Sequence, residues 1–573
     1  MGIGKRNILS RIILVLLVFI VRRVDAQPSP FDPVLSEEAS NIREHVVVYT
    51  DRSLYITGEK VRFRGVIGQE GLPEYLSWST VLYVELVSVS GSQVAGGKYP
   101  LINRVSAGEV AIPGDLLTGI YYLRCYTRWM RNWGQGFYCY LPLRILNPEK
   151  PEAEEREGGE AAVDLKVEKA MEKGFFEFSN CPPVLDRGDT VSMVIHVSQD
   201  YPFMEAEGCL TVVPLIAAPR PGMKVLQQTG EPANEAFRVK FLPDLNGVSV
   251  SGTVIEKGKA DRAFSGQKIH MTLLGSRSDY LVSQSDEYGR FTVSLPQRHG
   301  NLELFVQPED PGNSVTDIRI DQDFDPAQLY PPSKGFNIPD SQLQMITIMA
   351  RNAQLSRIYS DQKPAENSQS WHMPFYGTPQ FTVHMDDFVL LPTLEEVFIN
   401  LVPVVTVARK KDTISMIVRS ENPAITLYPP LIMIDEIPVF NMALFMSVSP
   451  TKIAVIDVVN DVYIKGDMRF GGIINLRSRE GDMAGIELPA NSFFFDYQAF
   501  QRPSIQENDG NSLDRQPDVR NTILWIPDLR TGVDSPTQFS FKAPAYPGEY
   551  TVLFRSTDGK GRYACVETSF HVR

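Results

Sequence analysis

A mainly β chain of tandem sandwiches with one small α+β unit is what the sequence predicts, on three observations. Short stretches alternate apolar and polar residues with a period of two. Clusters of Gly, Pro, Asn and Ser separate them, and one stretch alone carries a convincing helical period. The 573 residues are 43% hydrophobic, enough for about four cores at roughly 150 residues per domain.

Residues 1–26 read as a leader. A basic start (Lys5, Arg6, Arg11) precedes an apolar run from Ile12 to Val21 and the small-x-small tripeptide Val24-Asp25-Ala26, so the mature chain is expected to begin at Gln27. The run is about half the roughly 20 residues that cross a bilayer, and no other stretch is longer. No transmembrane segment is therefore expected in the mature chain, and no Cys follows the cleavage site to carry a lipid. The expected location is the periplasm or the outer membrane. A formal charge of -13 argues against nucleic acid, whose binding needs clustered Lys and Arg.

VVVYTDRSLYITGEKVRFRGVI gives a strand, a turn at Thr57-Gly58-Glu59, then Val61 and Phe63 alternating with Lys60, Arg62 and Arg64. STVLYVELVSV, GIYYLRCYTRWM and GFYCYLPLRIL repeat the pattern, predicting an antiparallel sandwich over 44–147. Residues 148–162 (PEKPEAEEREGGEAA) are charged, lack aromatics and read as a linker. VLDRGDTVSMVIHVS, with Val191, Met193 and Ile195 alternating, opens a second sandwich over 163–245. Its Arg187-Gly188-Asp189 falls on a turn, where a structural role is simpler than integrin binding. NGVSVSGTVIEKG, KIHMTLLG and SDEYGRFTVSLP make a third sandwich over 246–322, with Gly252 marking a bulge or a close backbone approach.

Residues 323–379 form a second linker with a helix over 340–359. There Leu343, Ile346, Ala350 and Ala353 share a face, and Asp340 or Ser341 is placed to cap. Strands mix with a short helical pattern over 380–482. Residues 483–516, rich in Asn, Gln, Ser and Asp, read as a loop or covering strap. NTILWIP, TQFSFKAP and GEYTVLFRST return to strand over 517–573, part of a C-terminal sandwich.

Local motifs for catalysis are absent. The histidines (His45, His196, His270, His299, His372, His384, His571) are scattered, and no HExxH, CxxC, GxSxG, phosphate loop or GxGxxG occurs. An enzyme is not expected, nor a cofactor or metal. His384 beside Asp386 and Asp387 is the densest cluster and reads as a charged turn. DRGDT and DFDPAQ lack the spaced oxygens and terminal Glu of an EF-hand.

Cys125 and Cys139 flank a hairpin turn at similar distances, and Cys181 and Cys209 share the next segment. Each pair is a candidate disulfide in an exported chain, against the alternative of buried thiols. Cys565 sits in a strand-like stretch as a plain core position. In YTRWMRNWGQGFYCY, exposed Trp129, Arg131 and Trp133 would stack on sugars or grip a protein; buried, they would fill the hairpin. Asp435 and Glu436, in the turn of PLIMIDEIPV, are a further candidate contact.

VVVYTDRSLYITGEKVRFRGVI, LSWSTVLYVELVSVSG and TGIYYLRCYTRWMRNW together resemble the MG2 domain of alpha-2-macroglobulin-like proteins, a macroglobulin-like or immunoglobulin-like sandwich. No CGEQ thioester motif occurs, so covalent trapping is not implied. Residues 246–321 look like a carboxypeptidase regulatory-type sandwich. LPTLEEVFINLVPVVTV, PPLIMIDEIPVF, SPTKIAVIDVV and FGGIINLRSR resemble a TonB plug domain over 380–480. This order is similar to a family of large exported proteins of Bacteroidota. Plugs commonly show IDGVP where Asp435 is followed by Glu436, and a turn needing positive φ disfavours Glu, so a remodelled turn is expected. A transporter barrel of 22 strands at roughly 10 residues each would need far more than residues 481–573. The resemblance therefore implies a plug fold used as a free module.

The leading functional expectation is a non-enzymatic envelope scaffold that binds proteins or glycans at the outer membrane. The alternatives are a macroglobulin-like endopeptidase inhibitor without a thioester, and an accessory part of a TonB-dependent uptake system docking on a separate outer-membrane barrel. Strand addition at an open sheet edge is the expected physical route of contact.

Overall fold

The computed structural model describes residues 39–71, 78–150, 165–167, 174–219, 223–225, 239–275, 277–295, 297–309, 316–327, 338–360, 374–410, 413–466, 468–502, 518–557 and 563–573. The leader at 1–26 and most of the expected linker at 148–162 lie outside them. The architecture is mainly β: three sandwiches and one small α+β unit. No helix among the described residues is long and apolar enough to cross a membrane.

In the first sandwich, Arg43–Thr50, Lys60–Glu70 and Val105–Ala111 form one sheet. The other runs Gln93–Pro100, Val81–Val87, Gly119–Tyr126 and Cys139–Leu146. Val46, Val61, Phe63, Leu82, Val84 and Leu123 are fully buried between them, each contributing roughly 1.5–3 kcal/mol. Val61 and Phe63 point inward as their alternation predicts. Arg64, expected outward, is buried as well: its Nη1 donates to Pro527 O at 2.6 Å and its Nη2 pairs with Glu207 at 2.9 Å. A second sandwich covers that face.

The expected independent sandwich at 163–245 is corrected by the pairing. Leu165–Val167 and Met223–Val225 instead extend the first sandwich's larger sheet. The second sandwich is completed by the C-terminal strands. Thr190–Val197 pairs with Thr537–Lys542, and Glu205–Pro214 lies between Leu524–Gly532 and Gly548–Thr557. Neither segment holds enough strands to cover its apolar face alone, and together they enclose one core including Met193, Ile195, Leu210, Val552 and Phe554.

Val248–Glu256 heads the third sandwich, between Arg290–Leu295, Lys259–Ala263 and Thr316–Ile320. The facing sheet is Asp279–Gln284, Lys268–Leu273, Asn301–Pro308 and Phe493–Gln498. That last strand lies in the stretch expected to be a loop; its apolar FFF run pairs with Asn301–Pro308 and closes the sheet edge. The first and third sandwiches share one continuous apolar cluster.

Gly252 lies where strands approach closely: a Cβ there would stand 2.2 Å from Arg319 O and 2.7 Å from the Phe291 ring. Gly252→Ala is expected to destabilise by about 1–3 kcal/mol, read as a lower denaturant midpoint at unchanged slope. A loss below the detection limit would contradict the packing.

The helix Leu343–Ser360 buries Ile346, Met349 and Ala353 against Leu54, Ile56 and Ala217. Leu343, expected on that face, is largely exposed. The helix is preceded by a 3-10 turn over Asp340–Gln342 with Pro339 at its N-cap and no side-chain cap bond, so neither Asp340 nor Ser341 performs the expected capping.

The α+β unit is a five-stranded sheet in the order Phe381–His384, Ile453–Val459, Ile473–Ser478, Leu431–Ile434 and Ile437–Pro438. Helix Leu394–Leu401 covers it, its first turn closed by Thr393 Oγ1 accepting from Glu396 N at 3.2 Å. The Gly pair in FGGIINL is required by backbone contact. A Cβ at Gly471 would stand 2.2 Å from Tyr428 O, and Gly472 has φ +90°.

Candidate functional site

The turn after Leu431–Ile434 is not remodelled. Asp435 (φ 49°) and Glu436 (φ 67°) both hold positive φ, the conformation a two-residue primed hairpin turn demands. Specific bonds offset the cost of placing Glu there. Asp435 accepts from Ser478 N (2.7 Å), Ser478 Oγ (2.6 Å) and Met483 N (2.8 Å). Glu436 N donates to Asn475 Oδ1 at 3.0 Å, its carbonyl accepts from Thr272 Oγ1 at 3.2 Å, and Ser278 Oγ bonds its carboxylate.

Thr272 and Ser278 belong to the third sandwich, so this turn is the seat of the α+β unit. Gln307 Nε2 donates to Pro438 O at 2.6 Å, and Lys465 pairs with Asp279 at 2.6 Å. The Phe305 ring lies in the α+β core, and Tyr280 packs with Met433 and Ile473. Glu436, a candidate for outside contact, is buried in the seat instead, while Asp435 is half-buried and committed to the chain's own amides.

The tryptophan run is likewise internal. Trp129 is 1% exposed, donates from Nε1 to Ile42 O at 3.0 Å, and meets Trp78 and Trp133 edge to face. Arg131 is buried over the Phe241 ring and donates to Asp323 O at 2.9 Å. Trp133 is half-buried beneath the Arg43 guanidinium. The exposed alternative is thus corrected for Trp129, which packs inside the first sandwich, and for Arg131, which braces that sandwich to the chain beyond it.

None of the five cysteines is in a disulfide, and Cys565, expected as a core position, is exposed. Cys125 and Cys139 are register partners on neighbouring strands and both are buried; burial, then the neighbouring Cys139, pushes the Cys125 thiol up. Cys181 and Cys209 are not brought together. Cys209 packs with Val47 and Tyr49, whereas Cys181 lies against the second sandwich's own core and accepts from Thr568 Oγ1. His384 is exposed, and Asp386 beside it pairs with Arg479 at 2.6 Å. Among the described residues no group of three His, Cys, Asp or Glu converges as metal ligands.

Beneath these features lies a buried polar layer that motif reasoning missed. Arg124 grips Glu85 through Nε (2.8 Å) and Nη2 (3.0 Å) and also donates to Asp325 O at 3.1 Å. Arg128 donates to Ser249 O at 3.0 Å, and Tyr83 to Asp244 at 2.9 Å. Lys98, 0% exposed, bonds Asp323 and Gln498 O. The available signal was a charged residue inside a wholly apolar strand, as Glu85 is in VLYVELV. Such a residue is tolerated only when paired.

Glu44 adds a titratable bond. Thr127 Oγ1 (2.5 Å), Ser79 Oγ (2.9 Å) and Ser79 N (3.1 Å) donate to it, yet burial dominates and raises it to about 7. A carboxyl raised on folding contributes stability that is full below its unfolded value, about 4.3, and is lost as pH rises through 7. Between pH 5 and pH 8 the wild type is therefore expected to lose melting temperature relative to Glu44→Gln. Parallel curves for the two would contradict this.

Toward solvent the α+β unit presents Phe388, Val389 (87% exposed) and Leu390, followed by Ile399 on the covering helix. Large apolar side chains in sequence and exposed are the surface chemistry of a contact site.

No protein-family model and no curated protein matches the chain. Among solved structures it is similar to trypsin-activated alpha-2-macroglobulin from Escherichia coli, at 8% identity and a TM-score of 0.23, over 96% of this chain and 42% of that one. A Salmonella alpha-2-macroglobulin is 10% identical at 0.23, over 92% and 39%. The Escherichia coli adhesin FdeC is 9% identical at 0.13, over 48% and 62%. The chain spans less than half the length of these macroglobulins.

Proposed function

We propose that the chain is a non-enzymatic, exported cell-envelope protein whose sandwiches hold a plug-like module for binding a partner at the outer membrane. The observation that carries this reading is the contrast between the two sides of the α+β unit. One side is fixed to the third sandwich through Glu436, Gln307 and Lys465; elsewhere Phe388, Val389 and Leu390 face solvent. A rigid seat lowers the ordering cost of association, and exposed apolar side chains supply the area to bury. A protein partner fits this chemistry better than a glycan, because the exposed run Phe388–Leu390 is aromatic and aliphatic, with the charge of Asp386 and Asp387 at its edge.

The test is crosslinking and affinity purification from the source organism with the wild type and with Val389→Asp/Leu390→Asp. Both side chains are already exposed, so the variant is expected to unfold at the same denaturant concentration while losing most of the captured envelope protein. Equal capture by the two, or recovery of the bait alone, would overturn the proposal.

A further inference from the structure

We propose that Lys98 and Asp323 are joined by an intramolecular isopeptide bond that ties the first sandwich to the segment leading out of the third. Among the buried charged residues described, Lys98 is the one lysine; the buried cations around it are arginines, which stay protonated and are not nucleophiles. Its side chain is 0% exposed. Its Nζ bonds Asp323 Oδ2 and, at 2.6 Å, Gln498 O. It lies 3.9 Å over the Tyr497 ring and 6.0 Å from that of Phe324.

Three features turn this contact into a reaction geometry. Burial lowers the pKa of Lys98, favouring the neutral amine that a lysine nucleophile needs. Both partners are fixed before reaction: Lys98 lies in the strand Gln93–Pro100, and the Asp323 carbonyl accepts from Arg131 Nη1 at 2.9 Å. Such fixing replaces a bimolecular encounter. The Lys98 side chain is sealed from solvent while that of Asp323 is 15% exposed, which leaves the released water a way out.

The step is a condensation and needs no oxidant or co-reactant. Nζ passes a proton along its existing hydrogen bond to Asp323 Oδ2; its lone pair then attacks Cγ, and the N–Cγ bond forms. One Cγ–O bond then breaks, and its hydroxyl leaves as water with a proton given up by nitrogen. The Tyr497 ring beneath Nζ is itself held in place, its hydroxyl donating to Ser249 O at 3.2 Å.

The experiment is tryptic peptide mapping by mass spectrometry on the reduced, denatured full chain. The expected result is a branched peptide holding Lys98 and Asp323, lighter than its two parts by one water molecule, with Lys98 resistant to trypsin. Lys98→Arg and Asp323→Ala are each expected to abolish it. Recovery of separate Lys98 and Asp323 peptides from the wild type, with cleavage after Lys98, would overturn the proposal. So would a branched peptide persisting in Asp323→Ala.

Discussion

Glu85→Ala is expected to destabilise the first sandwich by about 3–5 kcal/mol, the cost of leaving a buried cation without its partner. Glu85 and Arg124 have side chains 0% and 3% exposed, and their two-point bond sits inside the core of the larger sheet. Arg124 also holds Asp325 O, so its displacement loosens the segment that carries Asp323. Glu85→Gln, which keeps the shape and one acceptor, is expected to lose less. Equilibrium denaturation should show the midpoint falling in the order wild type, Gln, Ala. An Ala variant within 1 kcal/mol of wild type, a threshold set by exposed ion pairs, would show that the pair contributes no more than a surface contact.

Phe305→Ala is expected to cost a similar roughly 3–5 kcal/mol but to act at a different place. Phe305 is carried by Asn301–Pro308 of the third sandwich, yet it is fully buried in the core of the α+β unit and meets Phe494 at 4.8 Å between ring centroids. Removing the ring leaves a cavity across the seat. Limited proteolysis should then cut between the third sandwich and the α+β unit at lower protease levels than in the wild type, while the second sandwich keeps its resistance. Uniformly increased cutting across the chain would contradict a role confined to the seat.

Much of the local structure was legible because it rests on short-range rules. Val191, Met193 and Ile195 alternate inward as written. Gly252 announced a close approach that the backbone confirms. The candidate contacts were legible as residues but not as places. Trp129, Arg131 and Glu436 stood out by chemistry, and each is buried by a segment distant in sequence: Ile42 for Trp129, Asp323 for Arg131, Ser278 for Glu436. The exposed Phe388–Leu390 run was invisible as such, since an apolar run in sequence reads as core.

By itself, then, the sequence determined the strand grammar, the class of fold and the absence of local catalytic motifs, because periodicity and turn chemistry act over a few residues. Only the tertiary structure decided that the C-terminal strands complete the second sandwich, that Phe493–Gln498 closes the third, and that Glu436 holds a positive φ. Each depends on pairing between residues far apart in the chain. Such pairings are selected by which apolar faces and buried charges find cover, and that is fixed only when the whole chain is assembled.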